Sequence, residues 1–192
     1  MPELPTTPRG AATSRRILDA AAEEFAERGI AGARIERIVS AARTNKAQLY
    51  GYFGNKDGLF DAVVEDRVND STQAIPFDVD DLPGWAVRVY DQNLRRPDLV
   101  RLIAWIRLER NSTGLWFAGA QHDHKLAAIA QAQADGRMCP GDPFEILTLV
   151  ISMASAWSPA SGVYTATPDE PEADHERRRE LLRASVARAV AP

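Results

Sequence analysis

Residues 43–60, RTNKAQLYGYFGNKDGLF, gather Arg43, Lys46, Gln48, Tyr50, Tyr52 and Lys56 in a run whose apolar pattern is Leu49, Tyr50 and Phe53. The chemistry that such a set offers is recognition of a nucleic acid. Lys46 can donate to guanine O6 and N7, Gln48 can read adenine, and either can contact phosphate; Ala47 is small enough to touch a thymine methyl. The phenols of Tyr50 and Tyr52 and the ammonium of Lys56 suit phosphate oxygens, contacts that fix register without carrying sequence information. Gly51 lets backbone approach a duplex closely. Asn45 and Asn55 each suit a helix N-cap, and a helix starting at Asn55 would aim free amides at a phosphate. Phe53 reads as core.

The charge distribution supports a focused site. The chain carries a net charge of −4, which argues against general adhesion to nucleic acid. Residues 1–60 hold nine Lys and Arg against seven Asp and Glu, and the remainder holds fourteen against twenty. Within residues 33–56 the cations Arg34, Arg37, Arg43, Lys46 and Lys56 face Glu36 alone. A local basic face on an acidic protein is the expected footprint of a reader that touches DNA with one small surface.

Bond-making chemistry finds little support. Cys139 is the only cysteine, so neither an intrachain disulfide nor a cysteine-based zinc site can form; it reads as a loop residue. His122 and His124 stand two apart and diverge on a helix. Glu172 and His175 spell Glu-x-x-His, but a di-iron bundle needs two copies. No Gly-rich phosphate loop follows a strand, and no Ser or Cys sits in a nucleophile elbow. No metal, cofactor or enzymatic activity is therefore expected. The N-terminus lacks an apolar signal core and no eighteen apolar residues run together, which points to the cytoplasm and to no membrane span.

The recognition residues need elements to hold them. Residues 1–12, rich in Pro, Thr and Gly, read as a flexible arm, and Thr13 or Ser14 as the cap of a first helix. Ile17, Leu18, Ala21, Ala22 and Phe25 repeat at helical spacing and Gly29 is a C-terminal stop. Ile35, Ile38, Val39 and Ala42 predict a second helix over about 34–42. Asn45, with Gln48 three residues on as in a capping box, begins a very short third helix. Asn55 caps a fourth, with Leu59, Phe60, Val63, Val64 and Val68 inside. A turn of about three residues between the second and third helices matches a helix-turn-helix, whose second helix would enter the major groove. The expected fold class is all-α: a helix-turn-helix DNA-binding head over residues 13–60 and a larger helical ligand-binding and dimerisation body over 61–192, with a linker-like break at 69–84.

The stretch RIERIVSAARTNKAQLYGYFGNKDGLF resembles the helix-turn-helix signature of the tetracycline-repressor (TetR) family. Ile38, Ala42, Leu49-Tyr50, Tyr52-Phe53, Lys56 and Leu59-Phe60, preceded by Phe25 and Gly29, carry the resemblance across about residues 14–60. It implies a two-fold dimer, an all-α ligand-binding body and repression relieved by a small molecule. Two positions depart from the pattern. The family usually starts its second helix with Thr or Ser, where Ala33 and Arg34 stand; Arg34 could still reach a phosphate. The family usually has Gly in the turn, where Arg43 stands. A left-handed backbone costs a non-glycine residue about 1–2 kcal/mol. Either Arg43 accepts that strain and gains a phosphate contact, or the turn is shaped differently.

The body is less legible. Trp85, Trp105, Trp116 and Trp157, with Phe117 and Tyr90, could line a cavity for an apolar or aromatic effector; Trp105, Trp116, Phe117, Met153 and Trp157 are the candidate ligand contacts. The segment 143–157 is apolar almost all round and should be buried on more than one side. With the stripe Leu181, Leu182, Val186 and Val190 it predicts a homodimer packed through residues 143–157 and 178–190. The expected partners are thus an operator duplex, a small-molecule effector and a second copy. The competing reading is a helical ligand carrier or enzyme with a vestigial DNA-binding head.

Overall fold

The structure is a computed structural model, and it describes residues 7–110 and 120–192. The described residues form nine helices and no strand: α1 (Pro8–Gly32), α2 (Ile35–Ala41), α3 (Lys46–Phe53), α4 (Lys56–Ala74), α5 (Leu82–Arg95), α6 (Pro97–Glu109), α7 (Ala120–Ala134), α8 (Pro143–Ala154) and α9 (Glu172–Val190). The all-α expectation is met. Among the described residues no helix is long and apolar enough to cross a membrane. The chain divides into two compact units. One contains α1–α3, most of α4 and α6; the other contains α5 and α7–α9.

In the first unit α1 starts earlier than the arm at residues 1–12 implied. Pro8 supplies a preset helical φ at the first position, and Thr7 caps it by accepting the Gly10 N–H at 3.2 Å. Thr13 is buried inside the helix, and its hydroxyl donates to the Arg9 carbonyl instead of capping. Ile17, Ala21 and Phe25 of α1, Ile38 of α2, Leu49 of α3 and Leu59, Phe60 and Val63 of α4 are all fully buried, and the Phe25 and Phe60 rings cross edge-to-face at 5.0 Å.

Gly29 leaves the helix as expected, at φ +70, but as a kink after which a last turn continues to Gly32. Glu109 of α6 holds that kink, accepting the Ile30 N–H at 3.0 Å and the Ala31 N–H at 2.7 Å. Gly29 combines a positive φ with an extended ψ, a conformation that side-chain-bearing residues rarely adopt, and a Cβ there would also lie 2.9 Å from the Trp105 ring. The supposed linker is shorter than composition implied, because α4 runs on to Ala74. Its buried Arg67 reaches Asp19 at 2.8 Å and Asp66 at 3.3 Å, which ties the helix to α1.

In the second unit α5 packs on α8 and α9. Leu82, Ala86 and Tyr90 share a core with Ile129, Leu147, Val150, Leu182 and Val186. Asp81 and Asp142 cap α5 and α8 on the N–H groups of Gly84 and Phe144. Cys139 lies in a loop as expected, and its N–H donates to the Val190 carbonyl at 3.1 Å. The expected burial of α8 on several sides is not met within one chain. Leu147, Val150 and Ala154 are buried, but Leu149 is 51% exposed. In α9 Leu182 and Val186 are buried while Leu181 is 55% exposed. The neighbours of α8 (α5, α7 and α9) and of α9 (α5 and α8) leave these two leucines uncovered.

Candidate nucleic-acid interface

The turn between α2 and α3 decides where the recognition residues stand. The Arg43 N–H donates to the Ser40 carbonyl at 3.2 Å and the Thr44 N–H to the Val39 carbonyl at 3.0 Å. This is a Schellman closure, which puts its C′ residue in the left-handed region. Arg43 is that residue, at φ +51, the one non-glycine with positive φ among the described residues. Of the two alternatives for Arg43, the backbone takes the strained one. Its side chain is exposed. The Arg16 guanidinium donates to the Ala42 carbonyl at 3.2 Å and braces the same turn.

The start of α2 has no side-chain cap. Glu24 of α1 supplies the missing acceptor, taking the Arg34 N–H at 2.9 Å and the Arg37 Nε–H at 2.8 Å. Glu24 is only 9% exposed. The Arg37 guanidinium and the Arg34 N–H hold its carboxyl below the usual carboxylate range. The Arg34 side chain remains exposed and without a hydrogen bond or ion pair among the described residues.

Asn45 caps α3 as expected, accepting the Gln48 N–H at 2.8 Å. The reciprocal half of the capping box is absent. The Gln48 side chain accepts from the Thr44 hydroxyl at 2.6 Å and donates to the Tyr52 hydroxyl at 3.1 Å. Leu49 and Phe53 are buried, so α3 turns Lys46, Ala47, Tyr50 and Gly51 outward, all exposed. A Cβ on Gly51 would meet nothing within 4 Å, so that side is open to close approach. Lys46 forms an ion pair with Glu36 across the two helices, which raises the lysine pKa and lowers that of the glutamate. Tyr52 is half-buried, its ring edge-on to Phe53 at 6.2 Å. Asn55 caps α4 on the Gly58 N–H at 2.8 Å.

Lys56 differs most from its expected role. Its ammonium donates to the carbonyls of Ala33 at 3.0 Å and Ala31 at 3.3 Å. It therefore satisfies carbonyls left open at the end of α1 and ties α4 to them.

The sequence profile for bacterial regulatory proteins of the tetR family matches residues 17–63, and that for the tetracyclin repressor-like C-terminal domain matches residues 81–188. The chain belongs to the TetR family. Relatives include the HTH-type transcriptional repressor SCO4008 of Streptomyces coelicolor, 39% identical over 75% of this chain and 77% of the relative. The HTH-type transcriptional repressor NicS of Pseudomonas putida is 34% identical over 48% of this chain and 47% of the relative. The solved structure of SCO4942 from Streptomyces coelicolor superposes with a TM-score of 0.76 at 34% identity, covering 94% of this chain and 99% of that one. As a TetR-family member the chain is a DNA-binding transcriptional regulator and not an enzyme.

The TetR-family body brings together fewer of the expected effector contacts. Trp105 lies in the first unit, where its indole N–H donates to the Ala26 carbonyl at 3.3 Å and its ring abuts Gly29. Trp157 lies in the second, lining a shallow cleft with Tyr90, Asn93, Leu94, Ser158 and Ala166. Met153 is half-buried against the core. Trp116 and Phe117 lie outside the described residues. His175 of the Glu-x-x-His pair is buried and bonded to the Tyr90 hydroxyl at 2.7 Å, while Glu172 pairs with Arg179.

Glu24, Arg16 and Glu109 escaped the sequence reading. For Glu24 a signal existed: a helix that begins without a capping side chain at Ala33-Arg34 needs its acceptor from elsewhere.

Proposed function

We propose that this chain is a ligand-responsive repressor whose dimer grips a near-palindromic operator with two α3 helices and is released by a small apolar or aromatic molecule. The observation that carries the reading is the outer face of α3. Lys46, Ala47, Tyr50 and Gly51 are exposed there, flanked in sequence by the exposed cations Arg34 and Arg43. Base readout falls to Lys46, Ala47 and Gln48. Phosphate contact falls to Arg34, Arg43, Tyr50 and Tyr52, with Asn45 and Lys56 placing the helices that bear them. Gln48 must release the Thr44 or Tyr52 hydroxyl before its amide can pair with adenine.

Repression as the output is supported by the names of SCO4008 and NicS, both repressors. The exposed Leu149 and Leu181 support dimerisation through α8 and α9, and a dimer would set two recognition helices about 34–36 Å apart or slightly more. An effector that favours one spacing of the heads would shift operator affinity by its differential binding to the two states. A regulator of this kind acts in the cytoplasm. The test is a titration of the full chain with duplex DNA flanking its own gene. Saturable binding that competitor DNA of random sequence does not displace is expected; equal affinity for both duplexes would refute operator recognition.

A further inference from the structure

Lys125 is buried in the second unit at 8% exposure, yet no carboxylate lies within ion-pairing distance of it among the described residues. Its ammonium sits over two aromatic rings, 5.6 Å from the Trp85 ring centre and 5.9 Å from that of Phe77. These rings meet edge-to-face at 5.1 Å. Trp85 is itself 4% exposed, and its buried indole N–H has no hydrogen-bond partner. One turn before Lys125 on α7, the buried Nδ1 of His122 also lacks a partner.

Buried cations are normally paired, and buried N–H groups normally bonded, because each is costly to leave unsatisfied. Ring faces offset part of the cost of the ammonium, but they leave the indole N–H with nothing. An ammonium and an N–H donor set among aromatic walls share one complement: an acceptor bearing negative charge on an apolar body. Burial also lowers the Lys125 pKa, a shift that a bound anion would oppose.

We infer that Lys125 and Trp85 form the anchor of the effector site, and that the effector is a small organic carboxylate with an apolar body, its carboxylate taken by the Lys125 ammonium and the indole N–H. The inference rests on the ligand-responsive reading for its regulatory meaning, and on the geometry alone for the site. It sharpens an expected apolar effector to one with an anionic head.

The test uses the full chain and paired probes: benzoate with benzamide, phenylacetate with phenylacetamide, and hexanoate with hexanamide. Thermal shift and tryptophan fluorescence report binding. At least one carboxylate should bind about tenfold or more tightly than its amide, the scale of a charge-assisted hydrogen bond. The ratio should fall to about one in Lys125→Met, which keeps the stem and loses the charge, and should shrink in Trp85→Phe. Without ligand, Lys125→Met should melt higher than wild type, since it removes an uncompensated buried charge. The inference is overturned if no carboxylate is preferred, if Lys125→Met keeps the preference, or if that variant melts lower without ligand. Operator release is read separately. Carboxylate binding that leaves the DNA complex intact would refute ligand-responsive regulation while the anion site stands; a chain that binds no operator but keeps the carboxylate preference would do the same.

Discussion

Arg43 offers a test in which stability and DNA affinity move in opposite directions. Its backbone sits at φ +51, a conformation that costs a side-chain-bearing residue about 1–2 kcal/mol. Glycine removes that strain but loses about 0.5–1 kcal/mol more chain entropy on folding. Arg43→Gly should therefore stabilise the chain by about 0.5–1 kcal/mol, a rise in Tm of about 1–4 °C at this size. Arg43→Ala keeps the strain and should melt near wild type. On DNA the two variants should behave alike. If Arg43 holds a phosphate as proposed, each protomer loses one contact and a dimer loses two. The slope of log K against log salt should become shallower by about 1.8. If the complexes converge at about 1 M salt, affinity falls about 30-fold at about 150 mM and about 200-fold at about 50 mM. Fluorescence anisotropy with a labelled operator over a salt series, beside thermal denaturation, provides both readouts. Arg43→Gly melting below Arg43→Ala would refute the strain argument, and an unchanged salt slope in both variants would refute the phosphate contact.

Lys56→Ala should act mainly on folding, costing about 1–2 kcal/mol through the lost ammonium bonds to Ala31 and Ala33. Its salt slope should change less than that of Arg43→Ala; a larger change would restore Lys56 to the phosphate-binding set. Glu24→Gln should destabilise by about 1–3 kcal/mol at neutral pH, because Glu24 bonds both the Arg34 N–H and Arg37. Its carboxyl is depressed in the folded state, so the wild-type advantage is complete above about pH 4.3 and fades as pH falls through the folded value. A melting difference that stays constant on acidification would show that charge is not the cause. Leu149→Glu and Leu181→Glu should each give a monomer in size-exclusion chromatography with light scattering. Each removes two leucines per dimer, about 3–6 kcal/mol or at least about 100-fold in dimer affinity; an intact dimer in both would place the interface elsewhere.

The legible parts of the fold were those written locally. Asn45 and Asn55 accept from residues three positions on, and Leu49 and Phe53 follow helical spacing, so sequence distance and spatial distance coincide. Arg43 was legible as a conflict, because a residue after a helix with no glycine to hand must bend left or leave. The unread parts join residues far apart in the chain. Glu24 reaches Arg34 across ten residues and Glu109 reaches Ile30 across 79. Each is a side chain meeting backbone, which leaves no periodicity to detect. The contacts of Lys56 to Ala31 and Ala33 were unread for a related reason. A lysine near a helix start looks solvent-facing until the open carbonyls of another helix are placed beside it. Lys125 sits in HDHKLAAIAQ, where a charge reads as the outer face, yet it shares the buried stripe with Ile129 and Ala132.

The recognition helix has only eight residues, too few to be stable alone in water. Everything that keeps it in place therefore has to come from its surroundings, and it comes from one side. Leu49 and Phe53 bind its inner face, Asn45 closes its first turn, and the Schellman turn with Arg16 sets its entry. Glu24 fixes the start of α2 behind it, and Lys56 fixes the start of α4 beyond it. None of these groups belongs to the face that bears Lys46, Ala47, Tyr50 and Gly51. Under the proposed reading, that division would let an acidic chain change the exposed residues of α3 without loosening the scaffold that presents them. Gln48 and Tyr52 are where the two duties overlap. Their side chains bond to each other along α3 and would have to exchange that bond for one to DNA, so their contribution to affinity is reduced by what the free protein already holds.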